Sequence, residues 1–229
     1  MLRNKSNDSV SILPAVLPIT QIRRFTPLMV ENLGFLTVID KPKTGLIGGY
    51  LVLNTAGRPL EFHCTVPVLP DKIQEILYGE TLQPFLCGER IAQTLLKRPK
   101  LPVSYIFTNN NAVLPVQKTS ETPVVYVFDQ KRGHQLSGEV NSSLQLFGIK
   151  NDKPAPVYSE MPESIELPPV AGFDTSLWQK TRIGNRWIAV ANQTMPVVLD
   201  ELVQIARTID FAEPFVRIRL AVDEAQKAA

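Results

Sequence analysis

Three β-favouring runs, separated by two tight-turn signals, leave residues 34–66 few ways to fold. Gly34–Asp40, GFLTVID, is rich in β-branched and aromatic residues and reads as a strand. KPKTG follows as turn chemistry, then LIGGYLVLN, which is apolar on both alternating sets of positions. Tyr50 and Val52 point one way and Leu51 and Leu53 the other, so this strand is expected to be covered on both faces. In NTAGR, Asn54 and Gly57 take the first and last positions of a turn. The return run PLEFHCTV alternates. Leu60, Phe62, Cys64 and Val66 are expected to face the core, and Glu61, His63 and Thr65 to face water. Together the runs predict a β-meander.

Helical signals come next. Asp71 and Gly79 bracket a short helix as N-cap and C-terminal residue. Thr81–Arg98 is a stronger one, with Thr81 as cap, Pro84 in the first turn and Pro99 as the stop. Gly88 inside it points to a close contact with the sheet, because glycine there costs about 1 kcal/mol. PVSYIFTNNNAVLPV reads as a second hairpin around an asparagine-rich turn, and Val124–Asp129 as a buried strand. NRWIAVANQ is a further strand. Val198, Leu202, Ile205, Ala206 and Ile209 form one stripe of a helix over Val197–Asp210. FVRIRLAVD alternates as a closing strand, with Arg217 and Arg219 on one face.

The expected fold class is α+β: a mainly antiparallel sheet opening with the meander, two amphipathic helices packed on one face. Residues 1–33 form an extended, proline-containing N-terminal arm. Residues 34–130 form the α+β core, and 131–170 a long loop or insertion. Residues 171–229 add a strand–helix–strand unit that completes the same core.

Apolar residues make up 44% of the 229-residue chain, enough to bury a core. A net charge of +2 neither requires nor excludes a nucleic-acid surface, since that footprint is a clustered one. The basic groups Lys97/Arg98/Lys100 and Lys131/Arg132 are scattered. The two cysteines read as buried thiols in a reducing compartment. No apolar run approaches membrane-span length, and no signal peptide is apparent at the N-terminus. A cytoplasmic location and no membrane association are expected.

Nucleotide-loop, dinucleotide, Cys-x-x-Cys, His-Glu-x-x-His and Gly-x-Ser-x-Gly motifs are all missing. His63, Cys64, Cys87 and His134 are the soft ligands apart from methionine, and His63 and Cys64 point to opposite faces of one strand, so no metal site is expected. Glu61 and His63 share a face as a weak acid–base candidate. Asp40 and Asp129 each end an apolar strand. If those strands run parallel, the two carboxylates meet at one sheet edge, with Glu75 or Glu89 within reach from a helix. Such a group around Mg²⁺ would suit phosphodiester hydrolysis.

A meander whose first strand ends in aspartate, followed by a helix, resembles the start of an RNase H-like nuclease. The resemblance implies a metal-dependent nuclease, active or degenerate, using Asp40, Asp129 and a helix glutamate. It departs from that pattern after the helices, where strands follow strands and the intervening helix is missing. The preferred expectation is therefore a non-enzymatic interaction or scaffold domain, a subunit of a larger assembly, with no cofactor. Its expected partner is a protein or a second copy of the chain, and nucleic-acid association stands as the alternative.

Overall fold

The computed structural model describes residues 30–129, 165–191 and 194–227. They share one seven-stranded sheet in the order β3 (Pro59–Cys64), β2 (Gly45–Asn54), β1 (Asn32–Lys41), β4 (Tyr105–Thr108), β5 (Val124–Val127), β7 (Arg186–Ala191), β6 (Trp178–Ile183). The meander forms as the sequence predicts: β1 (Asn32–Lys41), β2 (Gly45–Asn54) and β3 (Pro59–Cys64) pair antiparallel. The Asn54 side-chain oxygen accepts from the Ala56 and Arg58 N–H groups, and Gly57 takes a positive φ of 76°, closing the turn. Asp71 caps the Lys72–Tyr78 helix in a reciprocal pair with Gln74.

Beyond the helices the sheet departs from expectation. β4 (Tyr105–Thr108) lies parallel to β1, and β5 (Val124–Val127) parallel to β4, so the sheet is mixed rather than mainly antiparallel. The asparagine run is not a hairpin turn. Asn110 caps a 3₁₀ helix, Asn111–Lys118, by accepting from the Ala112 N–H. That helix buries Val113, Leu114 and Val116 and carries the chain across to a parallel strand. It supplies the intervening helix the sequence reading lacked. Gly88 meets this crossover and not the sheet: a Cβ there would lie 3.2 Å from the Ala112 carbonyl oxygen and 3.3 Å from Pro115.

Helices cover both faces, not one. The helix spanning residues 82–96, whose middle Phe85–Ala92 is a π-helix, packs with the 3₁₀ crossover on Leu36, Val38, Tyr50 and Val52. The helices Met195–Ile205 and Glu213–Lys227 cover Phe35, Ile39, Leu51 and Leu53. Gly48 and Gly49 show how closely both layers press on β2. A Cβ on Gly48 would lie 2.2 Å from Ile91, and one on Gly49 2.3 Å from Ile218. The predicted stripe holds, with Val198, Leu202, Ile205 and Ile209 buried.

FVRIRLAVD is helical, not a strand. Phe215, Ile218 and Val222 are buried at helical spacing, while Arg217 bonds Glu213 and the Gly57 carbonyl. Alternation and helical periodicity coincide over so short a run. NRWIAVANQ supplies β7 (Arg186–Ala191), which pairs antiparallel with β5 and with β6 (Trp178–Ile183), a strand the sequence reading missed.

The apolar row of β3 is reversed from expectation. Leu60, Phe62 and Cys64 are exposed, because the C-terminal helix on that face packs on β1 and β2. Cys64 is therefore a surface thiol, whereas Cys87 is buried as expected. Residues 1–29 of the arm and 131–164 of the insertion lie outside the described residues; 165–170 pack on the core through Ile165, Leu167 and Val170. Among the described residues no helix is long and apolar enough to cross a membrane.

Candidate functional site

The chain leaves β1 toward β2 on one side, and leaves β4 through the 3₁₀ crossover toward β5 on the other. Neighbouring parallel strands with connections that diverge in this way open a crevice beyond their carboxyl ends, where ligands bind in open α/β sheets. Here β1 contributes Asp40 and Lys41, and β4 leads into Asn109, Asn110 and Asn111.

The polar groups in this crevice are mutually engaged. One step past the last register pair, Leu36–Thr108, the buried Thr37 hydroxyl donates to the Asn109 side-chain oxygen at 2.7 Å. The Asn110 amide donates to the Val38 carbonyl at 3.2 Å, while its oxygen caps Ala112. The Thr108 hydroxyl, also buried, receives the Asn110 N–H at 3.2 Å. Asn111 donates to the Pro169 carbonyl, tying the residue 165–170 segment to the crevice.

Asp40 is exposed and follows Leu36 and Val38 toward the 82–96 helix. The buried Cys87 lies on that side. Burial, with the Asp40 charge as a second cause, pushes its thiol up to about 12, so it stays protonated and is no nucleophile. Asp129 reaches the same end of the sheet after β5. Alternation carries it with Val125 and Val127 to the opposite face, and β4 lies between the two aspartates. Two interstrand spacings amount to about 10 Å. Glu75 is exposed on the Lys72–Tyr78 helix, 3.7 Å from the Lys72 ammonium, and Glu89 is exposed on the π-helix. Asp40 and Asp129 thus lie at one end of the sheet, as the sequence suggests, but on opposite faces, and Glu75 and Glu89 are exposed on helices.

The donor set decides how well Mg²⁺ fits. A two-metal centre needs carboxylates that converge on and bridge the ions. Among the described residues no group of three or more His, Cys, Asp or Glu side chains converges. The amide oxygens of Asn109 and Asn110 already accept internal hydrogen bonds. Asp40 is the carboxylate that β1 brings to the β1/β4 crevice, and the described set does not fit a metal pair.

Glu61 and His63 pair as the sequence suggests, at 2.9 Å, but in a structural setting. The Glu61 carboxylate also accepts the N–H groups of Lys100 (3.1 Å) and Leu101 (2.9 Å), clamping the segment that leads into β4. His134 lies outside the described residues. Beside the β1 end, an open depression of about 640 Å³ is lined by Lys41, Leu220, Asp223, Glu224, Gln226 and Lys227, and the Lys41 ammonium bonds Asp223 at 2.6 Å.

Sequence reasoning missed Thr37, Asn109 and Asn110. The available signal was an asparagine run directly after an apolar strand, and helix capping explains it better than a hairpin does.

No family model and no curated protein matches the chain. Among solved structures it is similar to human ENDOV, with 15% identity over 87% of each chain and a TM-score of 0.47. It is also similar to Ciona intestinalis Endonuclease V in complex with a 24mer DNA, with 14% identity, 73% of this chain and 74% of that one covered, and a TM-score of 0.36. Marinitoga piezophila Argonaute with a guide RNA matches at 10% identity over 79% of this chain and 26% of its own, with a TM-score of 0.32. The expectation of a non-enzymatic scaffold domain is corrected against these neighbours, among them an Endonuclease V in complex with DNA. At such identities and TM-scores they assign no residue of this chain a role.

Proposed function

We propose that the chain is an RNase H-like protein that engages a nucleic-acid strand at the β1/β4 crevice, with a degenerate cleavage centre. One observation carries the reading: at the carboxyl ends of two parallel strands that diverge in their connections, the facing side chains are Thr37 and Asn109, bonded to each other. That bond takes the Thr37 hydroxyl and the Asn109 oxygen, and it turns the half-buried Asn109 side-chain NH2 into a fixed donor suited to phosphate, sugar and base edges. Hydroxyls and amides do not suit the neutralisation of paired metal ions, which calls for carboxylates. Asp40 adds a single negative charge. The two free thiols suit a reducing compartment such as the cytoplasm.

Fluorescently labelled single-stranded and duplex oligonucleotides, DNA and RNA, test this in low-salt buffer with Mg²⁺. Binding should weaken only shallowly with added salt, because the crevice offers neutral donors and not cations to the phosphates, and few counterions are released. No Mg²⁺-dependent cleavage above a protein-free control should appear. Failure to bind any of the four probes would remove the reading. Cleavage that Asp40→Asn or Asp129→Asn abolishes would replace the degenerate centre with an active one.

A further inference from the structure

We infer that one face of β6 and β7 is a track for single-stranded nucleic acid, in which Lys118, Lys180 and Arg182 meet phosphates and the Phe173 and Trp187 rings meet bases. The inference rests on the reading of the crevice as a nucleic-acid site and names the form of its partner. Alternation puts Trp178, Lys180 and Arg182 on one face of β6. Register sets Arg182 directly opposite Trp187, and Lys180 opposite Ala189. Directly opposed residues share a face, with Cβ atoms about 5 Å apart. Trp178 and Ala189 are buried on the side that carries the 82–96 helix and the 3₁₀ crossover, whereas Lys180 and Arg182 are exposed and Trp187 is half-buried. Two further groups reach the same face from elsewhere in the chain. Phe173 lies edge-on to Trp178 at 6.2 Å, and the exposed Lys118, at the end of the crossover, holds its ammonium 5.3 Å from the Phe173 ring centre. Cations and rings thus interleave along about 14 Å of β6.

The chemistry of the face selects the occupant. A row of cations suits a polyanion, and rings set among them suit one that carries flat apolar groups at regular intervals. Duplex bases stack on one another and offer a protein only their edges, whereas the faces of single-stranded bases are free to stack on side chains. Guarding a sheet edge needs charge alone. It calls neither for Trp187 beside Arg182 nor for Lys118 and Phe173 brought in from two other segments. Asp174, next to Phe173, is turned into its own loop, where its carboxylate accepts from the Ser176 N–H and hydroxyl. The track also meets the crevice. Its Arg182–Trp187 end lies at the carboxyl end of β5, where the Phe128 N–H donates to the Trp187 carbonyl at 3.0 Å. Its other end, Phe173, follows Pro169, whose carbonyl holds Asn111, within about 14 Å of chain. A strand seated in the crevice has this face within reach.

Fluorescence anisotropy on the full chain tests the track, with labelled single-stranded DNA, single-stranded RNA and the duplex of the same sequence as probes. The single strands should bind tighter than the duplex. Three phosphate contacts should give log K a shallow slope of about −2 against log salt, since each contributes about −0.7 on a single strand. In the triple variant Lys118→Gln, Lys180→Gln, Arg182→Gln, with an unchanged melting temperature, that slope should shrink toward zero. Phe173→Leu should weaken single-strand binding about fivefold or more and leave the slope as it is, the loss expected of one stacking ring. A triple variant that keeps the wild-type slope overturns the track and leaves the crevice reading standing, as does a Phe173→Leu variant that binds like the wild type. Duplex bound as tightly as single strand also overturns it. So does a poly-glutamate peptide that competes as well as an unlabelled oligonucleotide, because charge alone would then account for binding. A wild type that binds none of the probes overturns the crevice reading and the track together.

Discussion

At one edge of the sheet β6 turns Lys180 and Arg182 to water; at the other, β3 exposes Leu60, Phe62 and Cys64. Both strands are six residues long and both pair antiparallel with one neighbour. Their chemistry differs. Exposed cations on an edge strand oppose the docking of a further strand, because pairing would desolvate charge. The apolar row of β3 carries no such penalty. Its polar row, Glu61 and His63, is turned toward the segment that leads into β4 and is engaged there. Among the described residues one edge of the sheet is guarded by charge and the other is apolar, and side-chain chemistry distinguishes them more than backbone geometry does.

The largest expected effect contrasts the sheet centre with the apolar edge. Phe107 on β4 stacks between Phe35 and Phe211, with ring centroids 4.8 Å away on each side. Phe107→Ala should cost about 3–5 kcal/mol of stability in urea unfolding. Phe62→Ala, measured at low protein concentration, should cost under about 1 kcal/mol, as partly exposed positions do. Equal losses at the two sites would mean that Phe62 is buried to the same degree as Phe107.

A second experiment attacks the guarded edge. Replacing Lys180 and Arg182 together by valine should make that edge adhesive, and light scattering should then report a larger species than the wild type forms. An unchanged assembly state would show that charge is not what keeps β6 unpaired.

The smallest effect is a pH dependence at β3. The hydrogen bond from His63 holds the Glu61 carboxyl below its usual 4.5; burial opposes this, and the Lys100 and Leu101 N–H groups add to the lowering. A carboxyl depressed on folding contributes stability in full above its unfolded pKa and loses it as pH falls through the folded value. The melting-temperature gap between wild type and Glu61→Gln should therefore be widest near neutrality and close in that acidic window. A gap independent of pH would detach Glu61 from its clamp.

Much of the fold could be read locally. The meander followed from turn residues and alternation, and Asp71 announced its helix through capping chemistry. The Val198–Ile209 stripe was visible at helical spacing. Asp40 and Asp129 were correctly assigned to strand ends, but whether they meet depends on strand order and on the face each side chain takes. β6 escaped notice because WQKTRI alternates weakly, its exposed middle being polar as a sheet edge permits.

By itself the sequence determined where the strands and turns of the meander begin and which residues of β2 share a face, because these depend on neighbours a few positions away. Tertiary structure alone decided that β4 runs parallel to β1, that Thr37 meets Asn109 across a separation of 72 residues, and that no described helix covers the apolar side of β3. A period-2 pattern states that two faces differ but not which one a helix will cover. That depends on how far each helix extends across the sheet, and here the C-terminal helix packs on β1 and β2, while the apolar row of β3 stays exposed.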